Sequence, residues 1–181
     1  MWILLKVSFI PNVYAPLDFY RFTHSIMSAL EKEGLDLYGK KKPFRATPPR
    51  PWSLIAADRD VAEPLISALV RGIRFRGGIH FPREIRVMEY VHSEEVVTVT
   101  PALFYRKQGG KKIPVEPSVP VLWQKRTVVP FKNTAFEAYN LRARVRDPEK
   151  VVRETGLGRK TGWGFGFVLT VPMLEQLQPP R

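Results

Sequence analysis

Between Gly156 and Gly166 the chain places five glycines in eleven residues, Gly156-Leu157-Gly158-Arg159-Lys160-Thr161-Gly162-Trp163-Gly164-Phe165-Gly166. Glycine lets the backbone reach φ > 0 and lets another backbone come close, so this stretch reads as a loop. Two cations and two aromatics stand between the glycines. Such a loop suits a phosphodiester chain, because bare N–H groups and cations can both reach its oxygens. No Gly-Lys-Ser/Thr follows a strand, which excludes a nucleotide-binding P-loop. A strand follows the glycines where a Rossmann fingerprint needs a helix.

The charge points the same way. Over 181 residues the formal net charge is +12, and a chain this basic calls for an acidic partner, with nucleic acid foremost. With 44% hydrophobic residues the chain can bury a core of one sizeable domain or two small ones. The absence of cysteine excludes disulfides, thiolate zinc sites and cysteine nucleophiles, and fits a cytoplasmic setting. Three scattered histidines and dispersed carboxylates show no metal-ligand spacing, so neither metal nor cofactor is expected. The apolar run Trp2-Ile3-Leu4-Leu5 is too short for a signal peptide or a membrane span.

Along the chain, residues 2–10 read as a strand. Pro16-Leu17-Asp18 opens a helix to about Glu33, with Asp18 in its first turn and Phe19, Phe22, Ile26 and Leu30 on one face. Lys40 to Pro51 is a basic loop or edge hairpin. Trp52 to Ala57 is a strand. Asp58 or Asp60 caps a helix carrying Val61, Leu65, Leu69 and Ile73 on one side. Gly77-Gly78 is a turn, and Glu84 to Val91 a strand. Strand, helix, strand, helix, strand is the split β-α-β plan of a ferredoxin-like domain, ending near His92. Beyond it, Val96 to Lys107 reads as a strand, Gln108-Gly109-Gly110-Lys111 as a hairpin turn, and Lys112 to Val115 as its return. Prolines 114, 117, 120 and 130 exclude a helix there. Phe136 to Arg146 is a strand with Arg142 and Arg144 on one face. Asp147-Pro148-Glu149 starts a short helix. Phe165 to Val171 is the last strand, and Gln176 to Arg181 a frayed tail.

The loop resembles the glycine-rich loop of the CRISPR-associated RAMP proteins, most closely that of the sixth Cas family, endoribonucleases that cut CRISPR repeat RNA. The shared spacing is Gly-hydrophobic-Gly, five residues, Gly-hydrophobic-Gly. The helix from Asp60 to Ile73, the strand after it and Val97-Thr98-Val99-Thr100-Pro101-Ala102 look like the family's join between two domains. The resemblance implies an α+β fold of two tandem ferredoxin-like (RAMP/RRM-like) domains, residues 1–92 and 93–181. The second is reduced, because the proline-rich 114–130 segment replaces its first helix. It also implies metal-independent cleavage: the ribose 2′-OH attacks the adjacent phosphate, leaving a cyclic phosphate and a free 5′-OH.

That reaction needs a base, an acid and positive charge at the phosphate. Many members place a histidine at or just after the end of the first helix. The matching stretch here, residues 35–42, holds Tyr38 and Lys40-Lys41-Lys42 and no histidine. The nearest is His24, four residues after Tyr20 on one helical face. His24 is either the general base or acid, helped by Tyr38 and Lys42, or a boundary residue of its helix. Lys40 and Lys41, with Arg45 and Arg50, either bind phosphates or line a solvated loop. Arg142, Arg144 and Arg146 form a cationic row that no acidic run matches. With Arg159, Lys160 and the glycines Gly156, Gly158, Gly162, Gly164 and Gly166 they are expected to contact RNA. Trp163 and Phe165 either stack on bases or pack the loop. Trp52, Trp123 and Phe104 read as core, and His80 and His92 as non-catalytic.

The leading reading is an endoribonuclease acting on CRISPR repeat RNA, with a homodimer left open. The alternative is a non-catalytic RAMP subunit holding crRNA beside other Cas effector subunits. A basic structural RNA-binding protein of ribosomal type is a third.

Overall fold

The computed structural model describes residues 1–177. Strand β1 (Trp2–Ile10) buries Leu5, Val7 and Phe9 by its two-residue alternation. Helix α1 (Phe19–Lys32) lays Phe22, Ile26 and Leu30 onto them, each at most 1% exposed. Phe22 meets Phe9 edge-on at 6.1 Å and Phe75 at 5.4 Å. Burying each such side chain contributes ~1.5–3 kcal/mol. Asp18 precedes α1 without capping it; its carboxylate accepts from Arg76 Nε at 2.9 Å.

The basic loop ends in a short edge strand, β2 (Phe44–Ala46), which pairs with β3 (Trp52–Asp58). The Asp58 side chain accepts from Asp60 N at 3.1 Å and starts the turn into α2 (Ala62–Arg71). Strands β4 (Ile73–Phe75) and β5 (Gly78–Val87) form a hairpin around Arg76 and Gly77, both at positive φ. The last strand of this half is therefore Gly78–Val87, not Glu84–Val91. Its register against β1 shifts where Pro82 stands opposite Phe9, which masks the strand pattern. Among the described residues the sheet order is β2-β3-β1-β5-β4, antiparallel throughout. It is the ferredoxin-like order with β4 added at one edge.

The second sheet has the order β11-β6-β10-β9 among the described residues, built from β6 (Glu95–Thr98), β9 (Val121–Phe131), β10 (Thr134–Arg144) and β11 (Val168–Thr170). Again the order is ferredoxin-like. The single strand expected over Val96–Lys107 is two. β6 stops because Val99 N and Thr100 N both turn to Phe167 O, and Pro101 has no N–H to offer. The chain resumes as β7 (Tyr105–Gln108), which pairs with β8 (Lys111–Pro114) through Gly109 and Gly110 at φ 57° and 77°. This hairpin stands where a first helix would be.

A short helix α3 (Pro148–Lys150) is capped by Asp147 and continues as a π turn (Val151–Thr155) that Gly156 ends. β11 begins at Val168, since Gly164 and Gly166 hold positive φ. It runs directly into α4 (Val171–Leu177), whose last two residues, Gln176 and Leu177, belong to the expected frayed tail. Thr170 Oγ1 accepts from Met173 N at 3.4 Å and donates to Val91 O at 2.7 Å. Met173 is fully buried. Residues 178–181, the rest of that expected tail, lie outside the described residues. No helix among the described residues is long and apolar enough to cross a membrane.

By contacts the chain forms two units: Met1–Glu89 with Gly162–Gly164, and Tyr90–Thr161 with the residues from Phe165 on. The sequence division placed the whole glycine loop in the second half; its segment 162–164 groups with the first.

Candidate functional site

In the first unit, α1 presents Tyr20 and His24 one turn apart, with ring centroids at 4.6 Å. Trp163 stacks on Tyr20 at 5.1 Å with the planes 24° apart, and its ring lies 5.7 Å from that of His24. Lys42 Nζ stands 3.9 Å from the Trp163 ring centroid, a close cation–π contact. Thr23 Oγ1 donates to the Trp163 carbonyl at 3.4 Å. His24, Lys42 and two aromatic rings thus share one place. His24 is exposed and also lines a cavity of about 600 Å³ whose rim carries Lys32, Arg71 and Arg74. An exposed imidazole and an ammonium thus meet the same indole, and the imidazole borders a recess carrying basic side chains.

The other residues singled out near it behave differently. Tyr38 is 91% exposed, and its backbone N–H bonds to Asp36 Oδ1. Lys40 pairs with Asp36 at 3.6 Å, and Lys41 is exposed. Arg45 is buried at 3% exposure, so it is not on the solvated loop surface. Arg50 lies over the Trp52 ring, and burial lowers its pKa. His80 donates from Nδ1 to Pro11 O at 2.8 Å, a loop-fastening contact. His92 meets Tyr90 Oη at 3.1 Å; burial, followed by Glu149, raises the Tyr90 phenol above its usual pKa.

The glycines of the loop answer first to the protein's own backbone. A Cβ on Gly158 would stand 2.3 Å from Leu103 O, one on Gly164 2.2 Å from Ala46 O, and one on Gly166 1.8 Å from Leu157 O. Positive φ at all three, and at Gly156, adds to the requirement. Gly162 differs: a Cβ there would meet only the Lys42 side chain, at 3.7 Å. Phe165 is fully buried, so it packs the loop.

The arginine row is not without an acid. Glu95, opposite Arg144 on β6, accepts from Arg142 Nε at 2.9 Å and again from its Nη2, and lies 3.8 Å from Arg144. The Arg142 hydrogen bond holds the Glu95 carboxyl below its usual range. Arg146 follows the end of β10 and is not part of the strand. Trp123, expected in the core, is 54% exposed on β9, directly across from Arg142.

Arg159 Nε donates to Tyr105 O at 3.2 Å with its guanidinium over the Tyr105 ring, so it fastens the loop to β7. Lys160 lies over Phe131 at 5.0 Å. Burial, reinforced by Lys112, Lys107 and Lys132, lowers its pKa from 10.5 to about 8. Sequence reasoning passed over Lys107, Lys112, Tyr105 and Phe136 around it. The Gly109-Gly110 turn does fix Lys107 opposite Lys112, a register readable from the hairpin alone. Among the described residues no group of three or more His, Asp or Glu could hold a metal ion.

No family model matches the sequence, and no curated protein matches it. Solved structures do. A "CRISPR associated protein Cas6" aligns at TM-score 0.73 over 94% of this chain and 100% of its own, with 14% identity. "An RAMP protein binding different RNA substrates" aligns at 0.67 over 94% and 99%, also with 14% identity. The product of a Cas6-related gene from Pyrococcus furiosus aligns at 0.67 over 93% and 98%, with 12% identity. Identity this low speaks for the backbone, and the backbone agrees over nearly the whole of each chain: this protein has the tandem ferredoxin-like fold of the CRISPR-associated Cas6 and RAMP proteins.

Proposed function

We propose that the chain is a Cas6-type RAMP endoribonuclease that binds CRISPR precursor RNA and cuts it within repeats without a metal ion. The observation that carries this reading is the meeting of His24 and Lys42 at Trp163, inside a basic chain with this fold. His24 takes the proton of the ribose 2′-OH as the 2′ oxygen attacks the neighbouring phosphorus. The bond from phosphorus to the 5′ oxygen breaks, leaving a 2′,3′-cyclic phosphate. The Lys42 ammonium stabilises the crowded phosphate and gives the leaving 5′ oxygen its proton. Trp163 holds Lys42 at the working distance. Support for RNA as ligand comes from the charge and from the RAMP structure described as binding different RNA substrates.

The test is incubation of purified protein with repeat RNA in EDTA, reading fragments and their termini. Cyclic-phosphate ends, lost with His24→Ala, support the proposal. Intact RNA across several repeats defeats the nuclease reading, and full rate in His24→Ala defeats that residue's role. A second reading, a non-catalytic RAMP subunit that holds crRNA beside other Cas subunits, draws on Tyr38, which points to solvent at 91% exposure. It predicts tight repeat binding with no cut.

A further inference from the structure

The second unit carries a cationic pocket that the cleavage proposal leaves unused. Lys107 and Lys112 face each other across the β7–β8 hairpin. Lys112 Nζ lies 5.6 Å from the Tyr105 ring centroid and 5.1 Å from that of Phe136. Lys160 Nζ lies 5.9 Å from the same Phe136 ring and 5.0 Å from Phe131. Two ammonium groups therefore share one aromatic ring. Beside Lys112 opens a cavity of about 610 Å³, lined by Tyr105, Lys111, Lys112, Phe136 and a single carboxylate, Glu137. Among the described residues no salt bridge joins Lys107, Lys111, Lys112 or Lys160 to an acid.

We propose that a phosphate group binds at the edge of this cavity, where the ammonium groups of Lys112 and Lys160 share the Phe136 ring. Ring quadrupoles hold the lysines in place but do not neutralise them. Gathering like charges without a counter-charge is unfavourable, and after burial the neighbouring lysines contribute to the lowered Lys160 pKa. An anion with several acceptor oxygens removes that repulsion and takes charge-assisted hydrogen bonds from both lysines. The phosphate comes either from an RNA backbone or from the free ion. The site uses neither His24 nor Lys42, so it stands or falls apart from cleavage.

The experiment follows Lys160 by NMR in protein with ¹³C-labelled lysine, titrated with inorganic phosphate in one arm. In the other arm the ligand is a short unstructured oligoribonucleotide without terminal phosphates. Occupancy should raise the Lys160 midpoint from about 8 toward 10.5. Lys112→Ala should weaken binding roughly ten-fold, and Glu137→Gln should strengthen it. Arg83→Ala, at an exposed cation of the first unit, should change it by less than about two-fold. A response to the oligoribonucleotide alone supports a backbone phosphate, and a response to inorganic phosphate as well supports a general phosphate site. A Lys160 midpoint unmoved in both arms overturns the proposal. So does equal weakening by Arg83→Ala and Lys112→Ala.

Discussion

Lys42 Nζ stands 3.9 Å from the centre of the Trp163 ring, and on Tyr20 that same ring is stacked at 5.1 Å. The indole thus gathers an ammonium and a phenol, and His24, one turn after Tyr20 on α1, lies 5.7 Å from the same ring. Replacing Lys42 by methionine keeps the aliphatic contact and removes the charge. Single-turnover cleavage of repeat RNA should fall roughly 10²-fold in Lys42→Met, while RNA affinity changes only a few-fold. Trp163→Ala should show the same rate loss and also lower stability by about 2 kcal/mol, with Trp163→Phe intermediate. Unchanged cleavage in Lys42→Met would remove Lys42 from the reaction.

The glycine loop offers a contrast that separates folding from RNA contact. Gly166→Ala places a methyl 1.8 Å from Leu157 O at φ 63°, and Gly158→Ala one 2.3 Å from Leu103 O at φ 81°. Neither neighbour is a side chain that can swing away. Each substitution should lower unfolding free energy by ~2 kcal/mol or more in denaturant titration. Gly162→Ala meets only Lys42 Cδ at 3.7 Å and should cost less than ~0.5 kcal/mol. If Gly162→Ala is fully stable yet binds repeat RNA poorly, that part of the loop touches RNA directly.

Local pattern made most of the first half legible. Phe22, Ile26 and Leu30 repeat at helical spacing, and they are the residues that α1 buries. Misreadings arose where a tertiary bond decided the outcome. Nothing adjacent to Thr100 in sequence shows that its hydroxyl accepts from Phe167 N at 3.0 Å, yet that side of the molecule ends β6. α4 hides because Val171-Pro172 reads as a strand end; its anchors are Met173 in the core and Thr170 bonded to Val91. His24 and Lys42 could be named from chemistry and resemblance, but the link through Trp163 joins residues far apart in sequence. The glycine spacing alone suits the approach of any second backbone. At Gly158, Gly164 and Gly166 the backbone that comes close is the protein's own.

Glu95 supplies a third prediction. It holds Arg142 and Arg144 on the strand face and offsets part of the row's charge. If RNA phosphates approach these arginines, Glu95→Gln should tighten binding several-fold. It should also steepen the fall of affinity with salt, since the freed arginines then neutralise phosphates instead of a carboxylate. Fluorescence anisotropy with repeat RNA at two salt concentrations reads both. Equal affinity and equal slope in the variant would place the row away from the RNA path.

The last prediction concerns pH and follows from Lys160. In the unfolded chain a lysine keeps its proton to about 10.5, whereas in the folded protein burial and the neighbouring lysines release it at about 8. Between these values the unfolded state binds more protons, so raising pH favours folding. The penalty of holding the charged group is present in full below about pH 8 and is relieved as pH rises toward 10.5. Lys160→Gln removes it at every pH. Denaturant midpoints measured across that window should therefore favour the variant at pH 7, with the difference narrowing steadily as the wild type gains. Comparing the two proteins cancels the titration of the remaining lysines. Adding a phosphate ligand should flatten the trend, because an occupied pocket restores the lysine's proton; a difference between variant and wild type that is the same at pH 7 and pH 10 would show that folding does not lower the Lys160 pKa.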